Sequence, residues 1–510
     1  MTKPVVLIVL DGWGIGATDS SNPLHLAKLP TFEKLKQYPV TSLEASGITV
    51  GLPWGQVGNS EVGHLTLGAG RVLYQHYPRI TLAIRDHSFN ERPALTSIVD
   101  HLAKTGGRLH LAGLLSEGNV HAAIGHVQAL ISWAKEKGLE EKTWLHLFAD
   151  GKDTLPQSMQ RMMDQLPKER FATAIGRHYA MDREENWTLT KAAYDCMTGA
   201  ANRDSLDVNA LLTQLYAQGL SEEYLQPTLI NPEGAIKAGD VLLFWNYRED
   251  SIQQIATCFV DPERAGFTAL PITDLQVATM TTYRTEWTVP VLFPPDHIDE
   301  PLGRVIADAG LAQLRLAETY KHAHVTSFFN GYRQEPFTGE YRVLIPSLEF
   351  PHPDEHPELV ASQITDRLEL TLQEKSFAFV LVNYANGDVV AHTGNFDASV
   401  KAAECVDAQI ARLLPYVERD EATLLITGDH GNIERVRDPN TGRLETTHDA
   451  NPVPFYLCDN GYVGKHFFNE AKLRDQAGGT LADVAPTIIE LMKLKKSEEM
   501  TGISLLSQLY

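Results

Sequence analysis

Short, continuously apolar runs that end abruptly in Gly, Asp, His or Asn recur along this chain, and they restrict it to one class of fold. Val5–Leu10 runs into Asp11-Gly12-Trp13-Gly14, residues 377–382 into Asn383-Tyr384-Ala385-Asn386-Gly387-Asp388, and residues 423–427 into Gly428-Asp429-His430-Gly431-Asn432. Apolarity that is continuous rather than alternating is expected of strands buried on both faces of a parallel sheet. Helical patterns over residues 358–372 and 396–414 lie between such runs. The fold class is therefore α/β, and polar residues just past strand C-termini fall where open α/β sheets place their sites.

The middle of the chain repeats this grammar. Leu109–Leu115 leads to Ser116-Glu117-Gly118-Asn119-Val120-His121, and residues 144–149 lead to Asp150-Gly151-Lys152-Asp153. Residues 171–175 lead to Gly176-Arg177-His178, with Met181-Asp182-Arg183 following, and residues 241–245 lead to Asn246-Tyr247-Arg248. A second sheet is expected, with a histidine, an aspartate and several cations along its C-terminal edge. At 510 residues the chain exceeds one ordinary core. Pro290, Pro294, Pro295 and Pro301 mark one boundary. The expected arrangement is a discontinuous domain of residues 1–75 and 300–510 with residues 76–299 inserted.

A formal net charge of −21 argues against nucleic acid and anionic membrane surfaces as partners. It leaves phosphorylated substrates open, because metals and converging arginines reverse a local field. The six apolar residues Val5–Leu10 are too few for a signal-peptide core or a membrane span. The cysteines Cys196, Cys258, Cys405 and Cys458 are scattered, without a C-x-x-C pair, as expected of a cytoplasmic chain.

Asp388 and His392 stand four apart, on one face of any helix that carries them. Asp429 and His430 are adjacent in a glycine-flanked turn, His448 follows in Thr446-Thr447-His448-Asp449, and Asp11 ends the first run. Three carboxylates and three imidazoles suffice for two divalent ions, and this mixed shell suits manganese, zinc or cobalt better than calcium. Each residue alone reads more readily as a turn residue or a satisfied pair; their joint occurrence at strand ends is what points to metal. His352 and His356 are set aside because Pro351, Pro353 and Pro357 forbid a regular helix there, and His322 and His324 because they alternate as in a strand.

Gly58-Asn59-Ser60-Glu61-Val62-Gly63-His64 brackets a serine with glycines. A hydroxyl becomes a competent nucleophile when a base or metal activates it, and a two-metal site does so for phosphoryl transfer. The same residues read equally well as a helix-capping turn.

Together these stretches resemble the cofactor-independent (2,3-bisphosphoglycerate-independent) phosphoglycerate mutases of the alkaline-phosphatase-like superfamily. The resemblance rests on Leu10-Asp11-Gly12-Trp13-Gly14, residues 56–64 with Leu67-Gly68-Ala69-Gly70-Arg71, and Ala180-Met181-Asp182-Arg183. It rests also on Ala317-Glu318-Thr319 with Lys321, residues 323–326, 383–386 with Asp388, Asp429-His430-Gly431-Asn432, and Asn451-Pro452-Val453-Pro454. It implies an alkaline-phosphatase-like metal domain carrying an inserted second α/β domain. One metal is implied at Asp388, His392 and His448, and another at Asp11, Asp429, His430 and the nucleophile Ser60. Two divalent ions are expected, Mn²⁺ first, with Co²⁺, Zn²⁺ or Mg²⁺ as alternatives. The resemblance places glycerate binding on His121, Lys152, Asp153, Arg177, Arg183 and Arg248, with Lys321 from the metal domain and Asp153 as acid/base. The implied reaction interconverts 3-phosphoglycerate and 2-phosphoglycerate through phosphoserine at Ser60, in a monomer acting on a small phosphorylated acid.

The pattern is broken in three places. Ser251 stands where a second arginine is usual, Lys152 replaces the arginine of D-G-R-D, and Glu117 and Asn119 replace an aspartate and a glycine. Lys152 keeps charge but loses bidentate geometry, and Arg284 is a candidate compensating cation. The alternative on the same metal half is a phosphatase, phosphonate hydrolase or phosphopentomutase.

Overall fold

The computed structural model describes residues 3–200, 207–348, 351–465 and 470–509. It divides into two compact α/β units, Met1–Gln75 with Asp296–Tyr510, and His76–Pro295.

The first unit is built on an eight-stranded sheet. Its order is Glu340–Ile345, Gln313–Glu318, Phe379–Tyr384, Val5–Leu10, Thr423–Gly428, Val453–Cys458, Val40–Glu44, Gly479–Thr480. The first five run parallel, and Val453–Cys458 is antiparallel to both its neighbours. Val5–Leu10 is fully buried at the centre, with one apolar cluster on each face. That two-sided burial is why these runs are apolar without alternation. The apolar run from residue 377 begins before its strand, because pairing starts where Phe379 meets Val5. Tyr384 therefore ends the strand and Asn383 lies inside it, fully buried.

The second unit holds a seven-stranded sheet ordered Thr228–Leu229, Phe171–Gly176, Thr143–Ala149, Leu109–Leu115, Val241–Phe244, Gln276–Thr281, Val291–Phe293. All its pairings are parallel except that of Thr228–Leu229. Val291–Phe293 is an edge strand inside the proline cluster, and an edge is where a sheet tolerates proline.

Two helices position the site of the first unit. Phe396–Glu418 is capped by Asn395, whose side chain accepts from the Ala398 N–H, and it packs its apolar stripe on the sheet. Ser60–Ala69 is buried over eight of its ten residues. A Cβ at Gly63 would lie 2.6 Å from the Asp429 carbonyl oxygen, and one at Gly68 would lie 2.0 Å from that of Phe329. Glycine at those points lets the helix lie against both turns.

His322 and His324 do not alternate along a strand. The strand ends at Glu318, a 3₁₀ turn spans Thr319–Lys321, and a π-helical turn spans His324–Phe328. Packing of this turn on the Ser60–Ala69 helix overrides the local alternation, and it turns Lys321 inward.

Candidate active site

Asn59, not Ser60, caps the Ser60–Ala69 helix: its side chain accepts from the Val62 N–H at 3.1 Å. Ser60 is therefore released from capping, and its Oγ faces charged groups. It donates to Asp11 Oδ1 at 3.0 Å, lies 3.0 Å from His430 Nε2, and accepts from Lys321 Nζ at 2.8 Å.

Asp388, in the first turn of the Asn386–Ala391 helix, gathers two imidazoles. Its Oδ1 lies 3.1 Å from His392 Nε2 and 3.2 Å from His448 Nε2. The Nδ1 atoms of these histidines face the carbonyls of Thr446 and Gly58, both at 2.8 Å. A carbonyl can only accept, so each Nδ1 carries the proton and each Nε2 is left as the donor atom a metal needs. His430 Nε2 lies 3.5 Å from Asp11 Oδ1, 3.7 Å from Asp429 Oδ2 and 3.9 Å from Asp388 Oδ1. Potential ligand atoms of Asp388, His392 and His448 converge within 4.8 Å, as do those of Asp11, Asp388 and His430 and those of Asp11, His64 and Asp429.

His64, Asn383 and Asn432 join this cluster without having been anticipated. His64 is fully buried, with Nδ1 2.9 Å from the Ser60 carbonyl and 3.1 Å from Asp429 Oδ2. Asn383 Nδ2 donates to Asp11 Oδ2 at 2.7 Å, and Asn432 Nδ2 donates to Asp388 Oδ1 at 2.8 Å. Apart from the Ser60 carbonyl, one helical turn before His64, their partners among the acids stand from 44 to several hundred residues away in sequence, so no local spacing could flag them.

Lys321 is buried, and it donates to Asp11 Oδ1 at 2.7 Å and Asp388 Oδ2 at 2.6 Å. Burial pulls its ammonium down, but the Asp11 and Asp388 charges outweigh that and hold it above its ordinary value. Burial likewise raises the Asp11 and Asp388 carboxyls, while Lys321 and the histidines pull both well below the usual carboxylate range. His430 is pushed up to about 10, because the surrounding carboxylates outweigh its burial. Asp429 Oδ2, also fully buried, accepts no hydrogen bond among the described residues, because the Nδ1–H of His64, 3.1 Å away, is directed to the Ser60 carbonyl. A buried carboxylate oxygen left open among acids and imidazoles fits a divalent cation.

In the second unit, strand ends gather another charged cluster. His121 Nδ1 lies 2.6 Å from Asp153 Oδ2, and Arg177 bridges Asp153 Oδ1 at 2.9 Å and Asp150 Oδ1 at 2.6 Å. Arg183 and Arg248, both exposed, converge on Asp250 Oδ2 at 2.9 and 3.1 Å. Burial raises the Asp153 carboxyl, but His121 and Arg177 outweigh it and leave the group below its ordinary value. Asp150 and Asp250 are the acids that sequence reading passed over. Lys152 is exposed, its backbone N–H held by Asp150 Oδ1 at 3.2 Å.

The departures from the family pattern acquire physical readings. Ser251 Oγ lies 3.3 Å from His121 Nε2 and donates to Asp250 Oδ1 at 3.1 Å. Glu117 pairs with Arg161. Asn119 sits at φ 56°, a left-handed conformation that asparagine tolerates best after glycine. Arg284 stacks over Trp287.

A family model described as the Metalloenzyme superfamily matches residues 3–496. A 2,3-bisphosphoglycerate-independent phosphoglycerate mutase of Pseudomonas putida (strain GB-1) is 42% identical over 99% of this chain and 98% of its own length. The chain belongs to the 2,3-bisphosphoglycerate-independent phosphoglycerate mutases. Another such mutase, of Synechococcus sp. (strain JA-3-3Ab), is 43% identical over 99% of this chain and 96% of its own. Among solved structures, Leishmania mexicana phosphoglycerate mutase at low cobalt concentration matches with a TM-score of 0.53 and 27% identity, covering 99% of this chain and 97% of that one. Membership of this mutase family accords with the two α/β units and with a cluster of buried acids and imidazoles at the strand ends of the first.

Proposed function

We propose that this chain interconverts 3-phosphoglycerate and 2-phosphoglycerate by two phosphoryl transfers through Ser60, without bisphosphoglycerate. The observation that carries the reading is Ser60 Oγ, released from capping and held within 3.0 Å of Asp11, His430 and Lys321. Asp388, His392 and His448 hold one divalent ion, and Asp11, Asp429, His430 and Ser60 hold the second. The donor set favours Mn²⁺ over calcium. When bound, the ions neutralise phosphate charge and lower the effective pKa of the serine hydroxyl.

In the first transfer Ser60 Oγ attacks phosphorus, the Oγ–P bond forms and the P–O3 bond breaks. The proton lost by Ser60 is balanced by one gained at O3. In the second the 2-hydroxyl attacks, the O2–P bond forms, the Oγ–P bond breaks and Ser60 is reprotonated. Asp153 relays protons at the glycerate hydroxyls, and its ion pair with Arg177 keeps it ionised between transfers. Lys321 holds its ammonium against Ser60 Oγ, where charge develops in both transfers. His121, Lys152, Arg177, Arg183 and Arg248 bind the glycerate carboxylate and phosphate.

The chain acts as a cytoplasmic monomer in this reading. Among the described residues no helix is long and apolar enough to cross a membrane.

The test is to supply the Mn²⁺-loaded protein with 3-phosphoglycerate alone and follow 2-phosphoglycerate and free phosphate together. Isomer without phosphate supports the mutase; phosphate without isomer transfers the assignment to a hydrolase on the same metal half. Ser60→Ala is expected to abolish turnover, roughly 10⁴-fold or more, while Mn²⁺ still binds. Unchanged turnover in that variant would rule out the phosphoserine route.

A further inference from the structure

Glu434 is a fully enclosed acid that the reaction described above does not use. It is 1% exposed, and among the described residues no lysine, arginine or histidine forms an ion pair with it. Its carboxylate is satisfied by amide groups instead. Oε2 accepts from the Gly14 N–H at 2.9 Å and from the Asn432 N–H at 2.9 Å, and Oε1 accepts from Asn451 Nδ2 at 3.1 Å.

These three donors belong to different turns, each a few residues beyond a residue of the acid–imidazole cluster. Gly14 follows Asp11, Asn432 follows Asp429 and His430, and Asn451 follows His448. Glycines make the space. A Cβ at Gly14 would stand 2.3 Å from Glu434 Oε1, one at Gly431 also 2.3 Å from Oε1, and one at Gly16 2.9 Å from Glu434 Cβ. Two glycines closing on the carboxylate and a third on its stem describe a socket built around that side chain rather than a residue that happens to be buried. The turns are linked further by Ile433 N–H to Gly12 O at 2.9 Å and Asp449 N–H to Gly431 O at 2.9 Å, so a shift at Glu434 passes to all of them.

We propose that Glu434 is a positioning residue that clamps the turns carrying Asp11, His430 and His448 into one metal-competent arrangement. The inference rests on the metal-centre reading given above. The clamp works by acceptor geometry and not by charge. A glutamine whose Oε1 takes the place of Oε2 keeps both backbone N–H groups, and Asn451 keeps its contact by turning its amide over. Aspartate, one methylene shorter, cannot reach Gly14, Asn432 and Asn451 together. Alanine leaves all three donors open.

The test uses the full chain stripped of metal and titrated calorimetrically with Mn²⁺ alone, for wild type, Glu434→Gln, Glu434→Asp and Glu434→Ala. Wild type and Glu434→Gln are expected to bind within about threefold of each other, whereas Glu434→Asp and Glu434→Ala weaken by about 10- to 100-fold, the scale on which groups supporting metal ligands act. Saturating Mn²⁺ should restore the kcat of Glu434→Asp with the 3-phosphoglycerate KM unchanged. Because metal binding would also refold a merely destabilised chain, far-UV circular dichroism of the metal-free Glu434→Asp variant is read first. A part-unfolded signal there overturns the clamp by assigning the weakening to stability. Wild-type affinity in Glu434→Asp overturns the clamp. A loss in Glu434→Gln equal to that in Glu434→Asp also overturns it, by assigning the effect to charge. If Glu434→Ala does not fold, the glutamine and aspartate variants still decide. Failure of the wild type itself to bind Mn²⁺ overturns the metal-centre reading, and the clamp with it.

Discussion

Lys321 Nζ lies 2.8 Å from Ser60 Oγ, so the proposed nucleophile is in contact with a buried ammonium that two aspartates hold in place. Lys321→Met removes a cation that competes for Asp11 and Asp388 while deleting charge at the reacting oxygen. The variant is expected to lose about 10²- to 10³-fold in kcat, the scale of one preorganised donor, yet to bind Mn²⁺ at least as tightly as wild type. Steady-state kinetics beside calorimetry separates the effects; parallel loss of both would show that Lys321 only maintains the fold.

Gly63→Ala sets two opposed effects against each other. Alanine favours a helix interior by about 1 kcal/mol over glycine, but the new Cβ would stand 2.6 Å from the Asp429 carbonyl oxygen. Overpacking against backbone costs about 1–3 kcal/mol, so the collision wins. The variant should melt lower and bind Mn²⁺ more weakly because Asp429 is displaced. A stabilised variant with unchanged affinity would show that the helix can draw back.

Asp153→Asn preserves shape beside His121 and Arg177 but cannot accept a proton. A loss of about 10²- to 10⁴-fold in kcat is expected for a lost acid/base, with a smaller change in KM. The pH profile should lose its acidic limb. A variant with wild-type kcat and only a raised KM would reassign Asp153 to binding.

Acid should weaken the second unit through histidines buried neutral. Burial pushes His126 down to about 3, and it also lowers His110 and His146. Below the unfolded value near 6.5 the unfolded chain takes up protons that the folded chain refuses. Stability from these groups is present above that pH and lost as pH falls toward the folded values. Each contributes a slope of about 1.4 kcal/mol per pH unit within its window. Urea unfolding across pH 4–7 should show His126→Phe with a shallower dependence than wild type; an identical slope would mean that His126 is protonated in the fold.

The class of fold was legible because a strand buried on both faces must be apolar throughout, and that demand is written locally in residues 5–10 and 423–427. Asp11, Asp429 and His430 could be singled out for a related reason: in a parallel sheet the turn after a strand is where polar chemistry can stand. Local pattern misled at His322 and His324, where packing against the Ser60–Ala69 helix turns the chain into a π-helical turn. It also shifted the start of the strand that carries Asn383, because register is set by the neighbour Val5–Leu10 and not by where apolarity begins.

What the sequence determined by itself was the strand-and-turn grammar and the residue types that each turn presents. Only the tertiary structure decided which groups meet. Asn59 took the helix cap and left Ser60 free, Lys321 came to stand against Ser60 from 261 residues away, and Glu434 gathered Gly14, Asn432 and Asn451. The reason is physical. Burial on a strand is a local demand that each segment satisfies with its own residues, whereas a buried polar group needs a partner whose position is set by the whole chain.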